Sequence, residues 1–200
     1  MRVLVTGGAG YIGSVLVPEL LGDGHEVTVL DNFMYRQDSL AHVCWHPALH
    51  LVRGDARLRA DLLPLLSAAD IIIPLAALVG APLCARDPVG ATTTNHDAIL
   101  MLLEHASRAQ RIIMPTTNSA YGSGDAAHHC TESSPLRPLS HYAVEKVRVE
   151  GALMEHGAAI SLRLATAFGM SPRMRLDLLV NDFTYRAVVD RSLLLFEAEF

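Results

Sequence analysis

Tyr142 and Lys146 stand four residues apart in His141 to His156, a stretch whose pattern predicts a helix. That spacing puts both side chains on one helical face. An ammonium beside a phenol stabilises the phenolate and draws the tyrosine pKa towards working pH. Such a tyrosine takes a proton from a hydroxyl as hydride leaves, or returns one to a carbonyl. The same lysine can hold a nicotinamide ribose. A Tyr-x-x-x-Lys pair alone is common on ordinary helices, so its meaning depends on what precedes it. At the N-terminus, Gly7, Gly10 and Gly13 recur at spacing three within Thr6-Gly-Gly-Ala-Gly-Tyr-Ile-Gly13. They lie between a buried-strand pattern, Arg2 to Thr6, and an amphipathic run, Tyr11 to Leu21. Strand, glycine turn and helix N-terminus together make a seat for a dinucleotide pyrophosphate. Gly7 is expected to allow the tight turn, Gly10 to let the backbone approach the phosphates, and Gly13 to let the helix pack on the strand. The helix start offers unpaired N–H groups and a positive dipole end to the anion.

An acidic residue at the end of the second strand accepts hydrogen bonds from the adenosine ribose. Asp31 lies eighteen residues beyond Gly13, at the close of the strand pattern Glu26 to Leu30. A carboxylate there repels a 2′-phosphate, so NAD is the expected cofactor rather than NADP.

The elements that must position these groups alternate between strand and helix, which implies an α/β fold with a parallel sheet. Further strands are expected at His50 to Val52, Asp70 to Pro74, Arg111 to Met114 and Ala158 to Leu164. Helices are expected at Leu58 to Leu66 and as one long run from Pro88 to Arg108. Another is expected at His141 to His156, capped by Ser140 and stopped by Gly157, and a last one at Leu176 to Val189. Pro18 is expected to disturb the first helix. The Ser-, Thr-, Gly- and Pro-rich loop from Thr116 to Leu139 has a length that usually marks function or mobility. A strand-like run, Ser192 to Phe200, closes the chain.

Composition narrows the function classes. Two hundred residues, half of them hydrophobic, suit one packed domain or one domain and the start of another. A net charge of −5 supplies no basic footprint for nucleic acid. No polybasic tail or uninterrupted apolar span suggests a membrane. The sequence opens directly on a strand pattern, so no signal peptide is expected. Cys44, Cys84 and Cys130 are far apart and outside any Cys-x-x-Cys spacing, which fits a reducing cytoplasm. No metal is expected, and the pair His128-His129 reads as an exposed loop.

The combined motifs resemble the extended short-chain dehydrogenase/reductases, in particular the nucleotide-sugar epimerases and dehydratases. The glycine stretch matches that family's motif, and Asp31-Asn32 looks like its ribose clamp. Gly54-Asp-Ala-Arg57 is similar to its GD-x-R segment. Pro74-Leu-Ala-Ala77 resembles its H-L-A-A segment, with Pro74 in place of the histidine. Asn95 to Glu104 follows its N-V-x-G-T-x-N-L-L-E helix, and Thr116 to Gly122 looks like its S-S-x-x-V-Y-G loop. The resemblance implies a Rossmann-type, doubly wound parallel sheet with helices on both faces. Residues 1–165 would form the NAD-binding domain, and 166–200 the start of a substrate-binding region whose larger part is missing. It implies catalytic roles for Thr117, Tyr142 and Lys146. It implies cofactor contacts from Gly7, Gly10, Tyr11, Ile12, Gly13, Asp31, Asn32, Asp55, Ala56, Leu75, Ala76, Ala77, Tyr142 and Lys146. Substrate contacts fall to Asn118, Ser119, Thr166, which replaces the family's Asn, Arg173 and Asn181, with Arg175 a further candidate for a diphosphate. A homodimer through the 90–107 and 141–156 helices is also implied.

Dehydratases and the related decarboxylase of this family follow the loop Thr with an acidic residue. Here Asn118 and Ser119 stand instead. The expected reaction is therefore 4-epimerisation of a nucleotide-sugar. The alternatives are a reductase or dehydratase of the same family, or a cofactor-binding but inactive member.

Overall fold

A computed structural model describes residues 1–123 and 129–195. Residues 124–128, in the expected Thr116–Leu139 loop and including His128, and the stretch from Phe196 to Phe200 lie outside the described residues.

Six parallel strands form one sheet: β1 (Arg2–Thr6), β2 (Glu26–Asp31), β3 (Leu49–Arg53), β4 (Ile71–Pro74), β5 (Arg111–Pro115) and β6 (Ala159–Leu162). Their order is β3-β2-β1-β4-β5-β6. The chain winds outward from β1 in one direction and then, from β4, in the other. The reversal leaves a crevice between the carboxyl ends of β1 and β4, where dinucleotides bind in sheets of this order.

Alternation along the strands explains why both faces are covered. Val3 and Val5 point to one side with Val27, Val29 and Ile73. There they meet Val17 and Leu21 of α1 (Gly13–Gly22). Leu4, Leu30, Ile72, Ile112 and Met114 point to the other side. They meet α2 (Arg59–Leu66), which follows β3, through Leu62 and Leu66. A parallel strand buried on both faces reads as a continuous apolar run, as Val3-Leu-Val5 and Ile71-Ile-Ile73 do. On the outer strand β6, Ile160 and Leu162 are exposed.

The expected long helix from Pro88 to Arg108 is broken. It comprises α4 (Pro88–Thr92), a π-turn over Thr93–Asp97, and α5 (Ala98–His105). The π-turn carries Asn95, which is buried and bonded both ways to one residue. Its Oδ1 accepts from Leu78 N (2.8 Å) and its Nδ2 donates to Leu78 O (2.9 Å). A short helix, α3 (Ala81–Arg86), precedes it. The helix α6 (His141–His156) runs over the expected residues. Ser140 Oγ accepts from Ala143 N at its start, and Gly157 stops it at φ 76°. The last helix, α7 (Leu179–Val189), begins three residues later than expected, and residues 192–195 form no strand. Pro18 is carried inside α1.

Gly13 has a different role from the one expected. A Cβ there would lie 2.5 Å from Gly8 Cα and against Gly8 O. At Gly13 the helix therefore presses on Gly8 of the turn, while Val17 and Leu21 further along it pack on β1. Overpacking of this kind costs about 1–3 kcal/mol. Gly13→Ala is thus expected to lower the unfolding free energy by about that amount in urea titration.

Candidate active site

Backbone hydrogen bonds of the glycine turn are unevenly distributed. Gly7 N donates to Leu30 O (2.8 Å), Gly10 N to Gly7 O (3.0 Å) and Ser14 N to Gly10 O (2.9 Å). Among the described residues no acceptor meets Tyr11, Ile12 or Gly13 N–H. These consecutive donors open α1, where the helix dipole also favours an anion. The opposite wall of the crevice is Leu75-Ala-Ala77. Leu75 N donates to Thr6 O (2.9 Å), which extends the β1–β4 pairing past β4. A Cβ on Gly7, at φ 70°, would lie 2.6 Å from Ala76 N. Glycine alone lets the two walls meet at the floor of the crevice.

Asp31 ends β2 at 7% exposure. Its Oδ2 accepts from Ala9 N (3.0 Å) and its Oδ1 from Phe33 N (2.8 Å). The carboxylate thus pins the turn to β2. Gln37 Nε2 also reaches Oδ1 (3.5 Å), and Oδ2 retains a further lone pair for a ribose hydroxyl. Unpaired donors, a crevice open to close approach and a carboxylate at the β2 terminus fit a dinucleotide with an unphosphorylated ribose. Asn32 Oδ1 accepts from Met34 N (3.1 Å). Asp55 is less free than the resemblance implied. Both of its oxygens grip Arg57 (2.6–3.1 Å), and that pairing holds its carboxyl below the usual range. Ala56 follows in the same half-buried turn.

On α6, Lys146 is 5% exposed and has no hydrogen-bond partner among the described residues. Its Nζ lies 5.9 Å from the centroid of the Tyr142 ring. Burial pushes the Lys146 ammonium down to about 8. The expected lowering of the Tyr142 pKa by Lys146 is not found. Burial pushes the phenol up, a thiolate at Cys84 would push it further, and Arg175 pulls the other way. The physical reason is distance and desolvation. The ammonium stands 5.9 Å from the ring centroid, and an apolar wall of Leu78, Cys84 and Ala91 packs against Tyr142. Cys84, which sequence spacing gave no means of finding, donates from Sγ to Leu78 O (3.3 Å), and burial raises its pKa.

Thr117 is buried and caps the 3-10 turn Asn118–Tyr121, accepting from Ser119 N (3.1 Å). Its hydroxyl proton is thereby left to point elsewhere. The loop bearing Thr117 is fastened to α6 by Arg163. That guanidinium bonds Glu150 (2.6 and 2.9 Å), Tyr121 Oη (2.8 Å) and Glu132 O (3.0 Å). The Glu150 bond holds Arg163 more firmly protonated. Glu150 is one turn beyond Lys146, and that four-residue interval was the available sequence signal.

The five substrate candidates separate. Asn118, Ser119 and Thr166 are exposed. Arg173 stacks over Tyr35 (4.6 Å to the ring centroid) and donates to Met174 O (3.0 Å). Asn181 is 5% exposed and fully engaged. It accepts from Gly169 N (2.8 Å) and donates to Tyr11 Oη (3.0 Å) and Arg175 O (2.9 Å). It is a clamp within the protein, not a free substrate ligand. Arg175 pairs with Asp177.

The family model described as "NAD dependent epimerase/dehydratase family" matches residues 3–196. UDP-glucuronic acid decarboxylase 1 of Arabidopsis thaliana is 34% identical over 88% of the chain and 42% of its own length. UDP-glucuronic acid 4-epimerase from Bacillus cereus, solved with UDP-glucuronic acid and NAD, superposes with TM-score 0.82. It is 27% identical, over 95% of the chain and 64% of the neighbour. UDP-glucose 4-epimerase from Thermus thermophilus, solved with NAD, gives TM-score 0.72. It is 32% identical, over 82% of the chain and 54% of the neighbour. The chain spans about half the length of the curated relatives it matches. No helix among the described residues is long and apolar enough to cross a membrane.

The buried lysine yields a test in the cofactor-free protein. Its folded pKa, about 8, lies below the ordinary lysine value. Between those two values the unfolded chain binds more protons, so stability rises with pH there. The cost of burying the charge is full below pH 8. Lys146→Met should therefore be more stable than the parent at pH 7, by on the order of 3 kcal/mol. The difference should shrink as pH rises from 8 to 10, measured by urea titration across that range.

Proposed function

The chain belongs to the NAD-dependent epimerase/dehydratase family, and from that premise we propose that it is a nucleotide-sugar 4-epimerase. The observation that carries this reading is the turn after Thr117. Asn118 and Ser119 occupy it, both exposed and neither able to act as a strong acid or base. Loss of water or of a carboxyl group calls for such a group beside the sugar. Return of hydride to the opposite sugar face does not. Asp31 supports the same reading, because an unphosphorylated dinucleotide can be regenerated within each turnover.

NAD, when bound, supplies the hydride acceptor for the sugar C4 carbon. Tyr11, Ile12 and Gly13 N–H groups would hold its pyrophosphate, and Asp31 its adenosine ribose. Thr117 donates from its free O–H direction to the reacting oxygen and orients it. Tyr142 takes the proton from that oxygen and later restores it. A phenol raised by its apolar wall is a poor base alone, so substrate and cofactor must bring Lys146 into closer electrostatic contact with it. Arg175, already the one cation lowering the phenol, is positioned to assist.

The curated relatives favour a second reading, decarboxylation of UDP-glucuronic acid. Incubation of the protein with UDP-glucuronic acid and NAD separates the two. The expected product is UDP-galacturonic acid, resolved by chromatography, with no carbon dioxide released and no net NADH. A UDP-pentose with carbon dioxide would establish the second reading instead. Steady NADH accumulation would mean net oxidation, and absence of turnover on any UDP-, dTDP- or GDP-sugar would leave only a dinucleotide-binding protein. Tyr142→Phe is expected to lower kcat about 100-fold or more. A homodimer through the 90–107 and 141–156 helices is supported by the exposure of Leu100 and Met154. Sedimentation velocity should give a two-chain species, and a monomer at micromolar concentration would rule that assembly out.

A further inference from the structure

The segment after β6 returns to the first β–α turn. Leu164 O accepts from Asn118 N, beside the loop that carries Thr117 (2.9 Å). Five residues later Gly169 O accepts from Tyr11 Oη (2.7 Å). Between β6 and β1 lie three strand spacings, or roughly 14 Å. Five extended residues reach about 17 Å. The segment therefore has the length to pass from the carboxyl end of β6 to the start of α1.

Its landing point is fastened by side chains that nothing in the proposed chemistry requires. Tyr11 Oη donates to Gly169 O and accepts from Asn181 Nδ2 (3.0 Å), so both its capacities are used. Ser171 Oγ donates to Tyr11 O (2.8 Å) and lies 2.9 Å from Ser14 Oγ, which therefore donates to it. Ser14, Ser171 and Asn181 are all buried. Further along, Arg173 stacks on Tyr35 in the loop after β2. Tyr11 joins both functions: its N–H is one of the unpaired donors of the turn, while its carbonyl and hydroxyl are held by the strap. A dinucleotide on those donors would have this strap fastened beside it. Exchange would then require the strap to lift.

We propose that Tyr11, Ser171 and Asn181 form a latch that governs entry and release of the dinucleotide at the glycine turn. The inference rests on the proposed seat of NAD at Tyr11 to Gly13. A latch differs from an ordinary binding contact in its kinetic signature. Loosening it speeds association as well as dissociation, whereas damage to the seat speeds dissociation alone.

The test is stopped-flow binding of NADH to the protein, followed by displacement with excess NAD, using nicotinamide fluorescence. Tyr11→Phe removes both hydroxyl bonds and keeps the ring. Asn181→Ala removes all three amide bonds. Each is expected to raise both rate constants about tenfold, with Kd changing less than either. Arg186→Ala, which breaks only an exposed pair with Asp182 on α7, should leave both rates at parent values. Should Asn181→Ala fail to fold, Ser171→Ala removes only hydroxyl contacts and is expected to raise both rates several-fold. Folded variants with parent rates would overturn the latch. So would faster dissociation with unchanged association. If the parent binds no NADH, the seat fails and the latch with it; parent binding with insensitive variants sinks the latch alone.

Discussion

Three successive backbone N–H groups, at Tyr11, Ile12 and Gly13, have no acceptor among the described residues, and much of the surrounding structure keeps them available. Unpaired donors are costly when buried, so a fold retains them only where an anion or water replaces the missing partner. Asp31 prevents the turn from collapsing onto them by taking Ala9 N–H instead. Gly7 lets the β4 wall come close without a Cβ between, and Gly13 lets α1 press onto Gly8. The strap from β6 satisfies the carbonyl and hydroxyl of Tyr11 but leaves its N–H alone.

Across the crevice the same tension appears in charged form. Lys146 is a buried ammonium without a hydrogen-bond partner among the described residues, a state that costs stability and is retained where a polar ligand will meet it. Its helix is rigidly placed. Glu150, one turn along, pairs with Arg163, and Arg163 holds Tyr121 at the end of the Thr117 turn. One guanidinium thereby ties α6, the Thr117 loop and the chain beyond β6. The two ends of the proposed site are each held by a contact that spans the fold: Asp31 to the glycine turn, and Arg163 between α6 and the Thr117 loop.

Much of this was legible in the residue order. Alternating elements pointed to the sheet, and the glycine spacing, Asp31 and the Tyr142–Lys146 interval to both halves of the proposed site. All are local patterns, and local patterns depend on periodicity and backbone sterics. The departures from those patterns lie in side-chain partners. Asn95 breaks a run that reads as one helix, because its amide bonds to Leu78, seventeen residues away. Arg57 claims Asp55, and the partners of Asn181 lie 170 residues off at Tyr11 and close by at Gly169 and Arg175. At Asp55 and Asn181 a side chain suited to a ligand has protein partners.

What the sequence determined by itself is the kind of site: a dinucleotide turn that opens on a short strand, an unphosphorylated ribose, and a phenol and ammonium on one helical face. Those follow from spacing along a single element. Tertiary structure decided how the groups are tuned and held. Tyr142 rises because an apolar wall with Cys84 packs against it. Lys146 falls because α6 buries it. The glycine turn is latched from the far end of the chain. Burial and long-range hydrogen bonds depend on which distant residues arrive, and no local spacing encodes that.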